Sequence, residues 1–215
     1  MLLRHHFVWL DPDLAGCGAN AEETALIDAW LKAGHPAIVR RSEIELKDHV
    51  ALGIALPTRL GRRRIALQVP EQAVVKQAMP PRLADALICA PAEWQHGLQE
   101  IANDLAHLGA DVHVYGSLGW QYLTGEIYLR PQSDIDLLIV PRENCDADSV
   151  LAAFAHYAQV ETPRLDGEMI IGSDRAVAWR ELLMPSENIL VRSRVRLALE
   201  PHADVLARFR QKAAA

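Results

Sequence analysis

Two aspartates separated by one residue, Asp134 and Asp136 in Ser133-Asp-Ile-Asp136, run straight into the apolar stretch Leu137-Leu-Ile-Val140. Successive side chains of a strand alternate between faces, so the two carboxylates share one face and Ile135 takes the other. A pair of carboxylates at the mouth of a buried strand repels itself unless something neutralises it, and a divalent cation does so naturally. Magnesium takes hard oxygen ligands and is usually held by one or two carboxylates together with phosphate oxygens and water. The pair is therefore half of a site for a phosphorylated substrate. Gly116-Ser117 supplies the other half, because Val112-His-Val-Tyr115 places it at a turn from strand to helix. Glycine lets the backbone approach phosphate closely, and the amides at a helix start point at an anion. Further on, Arg164-Leu-Asp166-Gly-Glu168 sets Asp166 and Glu168 on one face of another strand, and either can serve as a third carboxylate. Taken singly, Gly-Ser reads as a capping turn and the aspartates as an exposed acidic pair. Their succession on consecutive strands is what carries the chemistry.

The elements that must hold these groups follow from periodicity and turn residues. In the first part, Ala21 to Ala33 carries an apolar stripe at Ala25, Leu26, Ala29, Trp30 and Ala33, with Glu22 and Glu23 in its first turn and Gly34 beyond its end. Strands are expected at 37–41, 50–56 and 64–69, and Met79-Pro80-Pro81 suits a junction. The second part reads as a helix over 98–108, a strand over 111–115, a helix over 118–123 closed by Thr124-Gly125, and a strand over 135–140. A helix over 148–157, a strand over 164–171 and a short apolar segment at 176–179 complete it, and the tail 211–215 looks frayed. This predicts a mixed α/β (α+β) fold with a small N-terminal α+β domain at 1–79 and a catalytic domain at 80–215, a mixed sheet flanked by helices.

Composition bounds the reading. The chain of 215 residues is 50% hydrophobic and carries 22 Lys+Arg against 28 Asp+Glu, a formal charge of 22 − 28 = −6, which excludes a disordered or collagen-like chain. Such a balance argues against a sequence-independent nucleic-acid coat. Residues 1–80 hold 10 basic and 9 acidic side chains and residues 81–215 hold 12 and 19, so the acidity lies in the second part, 12 − 19 = −7. The densest basic cluster, Arg59-Leu-Gly-Arg62-Arg63-Arg64, reads either as a solvated hairpin turn or as a contact for phosphate or an acidic partner. Cys17, Cys89 and Cys145 are too scattered for a disulfide framework or a structural zinc site. With no signal peptide, lipid anchor or membrane-spanning stretch to be read, the expected location is the cytoplasm, with no membrane partner. His5-His6, at chain entry, reads as a non-ligand, and Trp120 as core rather than a stacking platform.

The Gly-Ser turn followed by D-x-D resembles the nucleotidyltransferase fold of the DNA polymerase β superfamily. Sixteen residues separate Ser117 from Asp134, more than that superfamily's usual interval, and 126–132 would be the insertion. Over essentially its whole length the chain further resembles the phosphoribosyl-dephospho-CoA transferases that act as malonate decarboxylase holo-acyl-carrier-protein synthases. The similarity rests on Trp30-Leu31, Gly34-His-Pro36, Arg40-Arg41, Leu52-Gly-Ile-Ala-Leu-Pro57, Arg62 to Leu67, Tyr115-Gly-Ser117, Trp120-Gln-Tyr-Leu-Thr-Gly125, Ser133-Asp-Ile-Asp136, Leu165-Asp-Gly-Glu168 and Ala176-Val-Ala-Trp-Arg-Glu-Leu182.

The resemblance implies transfer of a phosphoribosyl-dephospho-CoA group from its 5″-triphosphate donor to a serine of the malonate decarboxylase carrier protein, with release of diphosphate. It implies one or two Mg²⁺ ions on Asp134 and Asp136, with Asp166 or Glu168 completing the metal site or accepting the serine proton. Gly116, Ser117 and Arg180 would meet the donor phosphates. Two other readings share these residues: a nucleotidyltransferase that uses an ordinary NTP, and a carrier-docking module without catalysis. The second would be expected to have lost an aspartate or the Gly-Ser turn, and both are present.

Overall fold

The computed structural model describes residues 2–14, 20–42, 44, 46–159 and 163–214; Cys17 lies outside them. Neither Cys89 nor Cys145 is in a disulfide. The described residues form seven α-helices and two sheets, the mixed α+β class that the patterning predicts.

The first sheet is built from β1 (Phe7–Leu10), β2 (Ala37–Val39), β3 (His49–Ala55), β4 (Arg64–Pro70) and β5 (Val74–Ala78), in the order β4-β3-β2-β1-β5 with antiparallel neighbours throughout. Helix α1 (Ala21–Lys32) starts where Asn20 accepts the Glu23 amide, and it buries Ile27, Trp30 and Leu31. Strands β3 and β4 form a hairpin in register from His49↔Pro70 to Ala55↔Arg64, and Gly61 at φ +76° closes the turn between them. The basic cluster does sit on a hairpin. Strands β1 and β5 escape the sequence reading for opposite reasons. The former has only four residues, and the latter is an edge strand with an exposed middle and no alternation to read.

The second sheet contains β6 (Ala110–Val114), β7 (Ile135–Pro141), β8 (Leu165–Ile170), β9 (Ala176–Ala178), β10 (Asn188–Arg192) and β11 (Leu197–Pro201), side by side in reverse chain order. Only β7 and β8 run parallel, with Asp136 opposite Asp166 and Leu138 opposite Glu168. The hairpin β10–β11 lies past the last element that the sequence pattern predicts. Around this sheet lie α2 (Leu83–Ala86), α3 (Ala92–His107), α4 (Gly116–Thr124), α5 (Ala147–Tyr157), α6 (Trp179–Leu183) and α7 (His202–Ala214). The chain end, expected to fray, is helical through Ala214 because Val205 and Phe209 are fully buried and anchor it.

Helix α3 begins at Ala92, six residues before the expected Leu98, and its first turn buries Trp94. Gly97 interrupts the pattern there, yet a Cβ at this position would meet nothing within 4 Å. Gly97→Ala should therefore stabilise the protein by about 0.5–1 kcal/mol, read as a rise of roughly 1–4 °C in thermal midpoint.

Two cores result. Ile135, Leu137 and Ile139 point toward the helices and join the core containing Leu98, Leu105, Phe154 and Trp179. Their neighbours Asp136, Leu138 and Val140 point the other way, toward the first sheet. The first sheet's core includes Trp120 and Tyr128 from the second half of the chain, and Trp120 meets Phe7 edge-on with ring centroids 5.1 Å apart. The expectation that Trp120 is core holds, with the core being that of the other sheet.

Candidate active site

The side of β7 turned away from the helices opens into a cavity of about 750 Å³ between the two sheets. Gly116, Ser117, Ser133, Asp134 and Asp136 line one wall, and Ile38, Gly53, Ala55 and Ala66 are part of the opposite one. The expected turn is present: β6 ends at Val114, Tyr115 is extended, and α4 starts at Gly116 with no side chain capping its first amides. These amides are the ones an anion would take. The Tyr115 amide donates to the Asp136 carbonyl at 3.0 Å, which fixes the turn against β7. Gly116 sits at φ +55°, and a Cβ there would fall 1.8 Å from Asp136 Oδ2. Only glycine permits both the turn and the carboxylate beneath it.

Asp134, Asp136 and Asp166 form an acidic cluster. Burial, then the neighbouring Asp134 and Asp166, pushes the Asp136 carboxyl up to about 7, a group that wants a cation before it ionises fully. Arg164 lies 3.5 Å from both Asp134 Oδ2 and Asp166 Oδ2 and compensates those two loosely. Among the described residues no three carboxylate, imidazole or thiol groups close on one metal position. The donor set nonetheless fits magnesium: hard oxygens, an unneutralised carboxylate, and open cavity beside them for phosphate oxygens.

Asp166 and Glu168, equivalent in sequence, part company here. Glu168 is only 8% exposed and is held by Arg4 through a close ion pair, by His5 Nε2 at 3.0 Å and by Arg192 at 4.0 Å. Burial lowers the Arg4 guanidinium to about 10, and burial followed by Arg4 keeps the His5 ring neutral well below its usual range. His5 also stacks on Tyr115, with centroids 4.0 Å apart. His5 thereby ties the approach to the first strand to the Gly116–Ser117 turn, and it lines the cavity. Arg180 donates to the Leu165 carbonyl at 2.8 Å, lies over the Trp179 ring, and is not among the residues lining the cavity.

The long interval between Ser117 and Asp134 is the seam to the first sheet. Tyr128 Oη donates to the Ala55 carbonyl at 2.7 Å, the Thr58 amide donates to the Ile127 carbonyl, and Gln121 Oε1 accepts the amides of Tyr128 and Leu129. Sequence reasoning did not bring Arg4, Arg40, Tyr115, Arg130 or Arg164 to the site. Of these, Arg40, Tyr115 and Arg164 fall within quoted motifs, but nothing local distinguishes an arginine that faces a cavity from one that faces water.

An uncapped helix start over an acidic strand end, with arginines around it, is the setting of a protein that handles phosphorylated groups. Comparison with known proteins narrows the class. Residues 3–80 match the phosphoribosyl-dephospho-CoA transferase MdcG N-terminal domain and residues 82–203 the corresponding C-terminal domain. The chain is 35% identical over 202 residues to a phosphoribosyl-dephospho-CoA transferase of Bradyrhizobium diazoefficiens, covering 91% of this chain and 88% of that one. It is 32% identical over 201 residues to the like-named protein of Xanthomonas axonopodis, covering 93% and 94%, and 31% identical over 190 residues to that of Xanthomonas campestris, covering 88% and 89%. The chain belongs to the phosphoribosyl-dephospho-CoA transferase family. No solved structure matches it. No helix among the described residues is long and apolar enough to cross a membrane.

Proposed function

We propose that this transferase moves the 2′-(5″-phosphoribosyl)-3′-dephospho-CoA group from its 5″-triphosphate donor to a serine hydroxyl of the malonate decarboxylase acyl carrier protein, in the cytoplasm, with Mg²⁺. The observation that carries the reading is the Gly116–Ser117 turn packed directly onto Asp136, with Asp134 beside it on the cavity wall and Asp166 opposite Asp136 on the neighbouring strand. Family membership supports the donor's chemistry.

In the reaction the serine oxygen forms a bond to the α-phosphorus, the bond from that phosphorus to the bridging oxygen breaks, and diphosphate leaves. Bound magnesium supplies charge neutralisation at the phosphates and at the departing oxygen. Asp134 and Asp136 would hold it, with Asp166 as the third carboxylate. The first amides of α4 and the Ser117 hydroxyl hold the donor phosphates. Asp166, partly exposed and opposite Asp136 on the next strand, would also take the serine proton. Glu168, enclosed by Arg4, His5 and Arg192, positions the wall behind them.

Mass spectrometry of the purified carrier after incubation with the protein, donor and Mg²⁺ tests the proposal. The carrier should gain the donor's mass less diphosphate, and a chelator should prevent the gain. An unmodified carrier together with label transferred from ordinary ATP would point to the NTP-using alternative. Carrier binding without diphosphate release from any donor would point to a docking module.

A further inference from the structure

The arginines of the 59–64 hairpin divide by direction. Arg59 donates to both Glu126 oxygens, Nε to Oε2 at 2.9 Å and Nη2 to Oε1 at 2.5 Å, and Arg63 pairs with Glu22 and Glu23 on the outer side. Arg62 and Arg64 line the cavity instead. Among the described residues the Arg64 side chain makes no hydrogen bond or ion pair, and Arg62 reaches only the Tyr128 carbonyl at 3.3 Å. Arg130, on the far side, lines the same cavity and its side chain is likewise unpaired among the described residues. The cations turned outward are thus neutralised by carboxylates, and those turned inward are not.

Arg64 and Arg130 are exposed at the cavity and Arg62 is half-buried, so they are open to an incoming anion, and the planar guanidinium fork suits phosphate oxygens. Two features say that the anion belongs to the reacting ligand. Arg62, Arg64 and Arg130 line the same cavity as Gly116, Ser117, Asp134 and Asp136. The strand face beside Arg64 is made of small residues, because Gly53 and Ala55 on β3 oppose Ala66 and Arg64 on β4, and all of them line the cavity that reaches the Gly116–Ser117 turn.

We infer that Arg62 and Arg64 of the first sheet, with Arg130 opposite, form the subsite for a polyphosphate chain whose reacting end lies at Asp134 and Asp136. This rests on the proposed function for the identity of the donor, and it assigns the first sheet a substrate-binding role in place of carrier docking at this cluster. Arg62 and Arg64 are binding residues; Arg59 and Arg63 brace the hairpin from outside.

The test is calorimetric titration of the full-length protein, without metal, with inorganic tripolyphosphate. Arg62→Gln/Arg64→Gln should raise the dissociation constant at least ten-fold with an unchanged melting midpoint, and Arg59→Gln/Arg63→Gln should stay within two-fold of the parent. In turnover, the first pair should raise KM for the donor and leave KM for the carrier alone. Equal tripolyphosphate affinity in the two double variants overturns the inference, as does absence of tripolyphosphate binding by the parent chain. A rise confined to KM for the carrier overturns it too, and returns the cluster to an acidic protein partner. Because the titration involves neither carrier nor turnover, failure of the parent chain to load the carrier speaks against the proposed function alone.

Discussion

Replacing Asp136 with Asn should lower the transfer rate by at least about 10³-fold, equivalent to roughly 4 kcal/mol of transition-state stabilisation, while leaving the fold intact. The side chain keeps its shape under Gly116 but loses the charge that would hold a cation at the cavity wall. The same change should leave the metal-free protein no less stable and raise its melting midpoint by a few degrees. In the parent chain a largely desolvated carboxylate faces Asp134 and Asp166, and a neutral amide removes that repulsion. Activity and stability therefore move in opposite directions, the mark of a group placed for chemistry and not for folding. Rate measurements with saturating donor and carrier, combined with thermal melts in chelator, check both halves. Turnover above a few percent of the parent rate would remove Asp136 from the site.

Glu168→Ala should do the reverse in kind, destabilising the protein by about 3–5 kcal/mol because it leaves Arg4 buried and unpaired. For a chain of this size that is a fall of roughly 6–20 °C in melting midpoint. Asp166→Ala, at a partly exposed position paired with Arg164 at 3.5 Å and with the adjoining Gly167 amide, should leave the midpoint within about 2 °C and depress turnover instead. Replacing Arg4 and Glu168 together with methionines should recover most of the lost stability, since the penalty comes from the orphaned charge and not from the missing pair. Equal melting points for the Glu168→Ala and Asp166→Ala variants would show that the two carboxylates are not divided as described. The contrast also reports on how the halves of the chain are joined, because Arg4 and His5 enter β1 and reach across to β8.

Much of the architecture is legible from local pattern. The β3–β4 hairpin, helix α1, and the run from β6 through α4 to β7 each carry a period, a cap or a glycine stop that can be read without tertiary knowledge. The elements that escape do so for a stated physical cause. Strand β5 is a solvent-exposed edge, β1 is too short to show a period, and Gly97 masks the first half of α3. At the site, the aspartate pair and the Gly-Ser turn are visible because alternation along one strand and a glycine before a helix are local facts.

What the sequence by itself determined is a set of groups suited to phosphate: two carboxylates on one strand face, a helix start able to receive an anion, and a second acidic pair further on. Which of that pair stays partly exposed was decided only by tertiary structure. Asp166 and Glu168 have the same strand phase, and they differ because the N-terminal residues Arg4 and His5, more than 160 positions away, arrive over one and not the other. The same holds for the arginines of the hairpin. Spacing places Arg59, Arg62, Arg63 and Arg64 in one turn, but whether each faces Glu126, Glu22 or the cavity depends on the packing of the 126–132 segment and helix α1 around it. Periodicity assigns a side chain to a face; what lies opposite that face is settled by contacts between residues far apart in the chain.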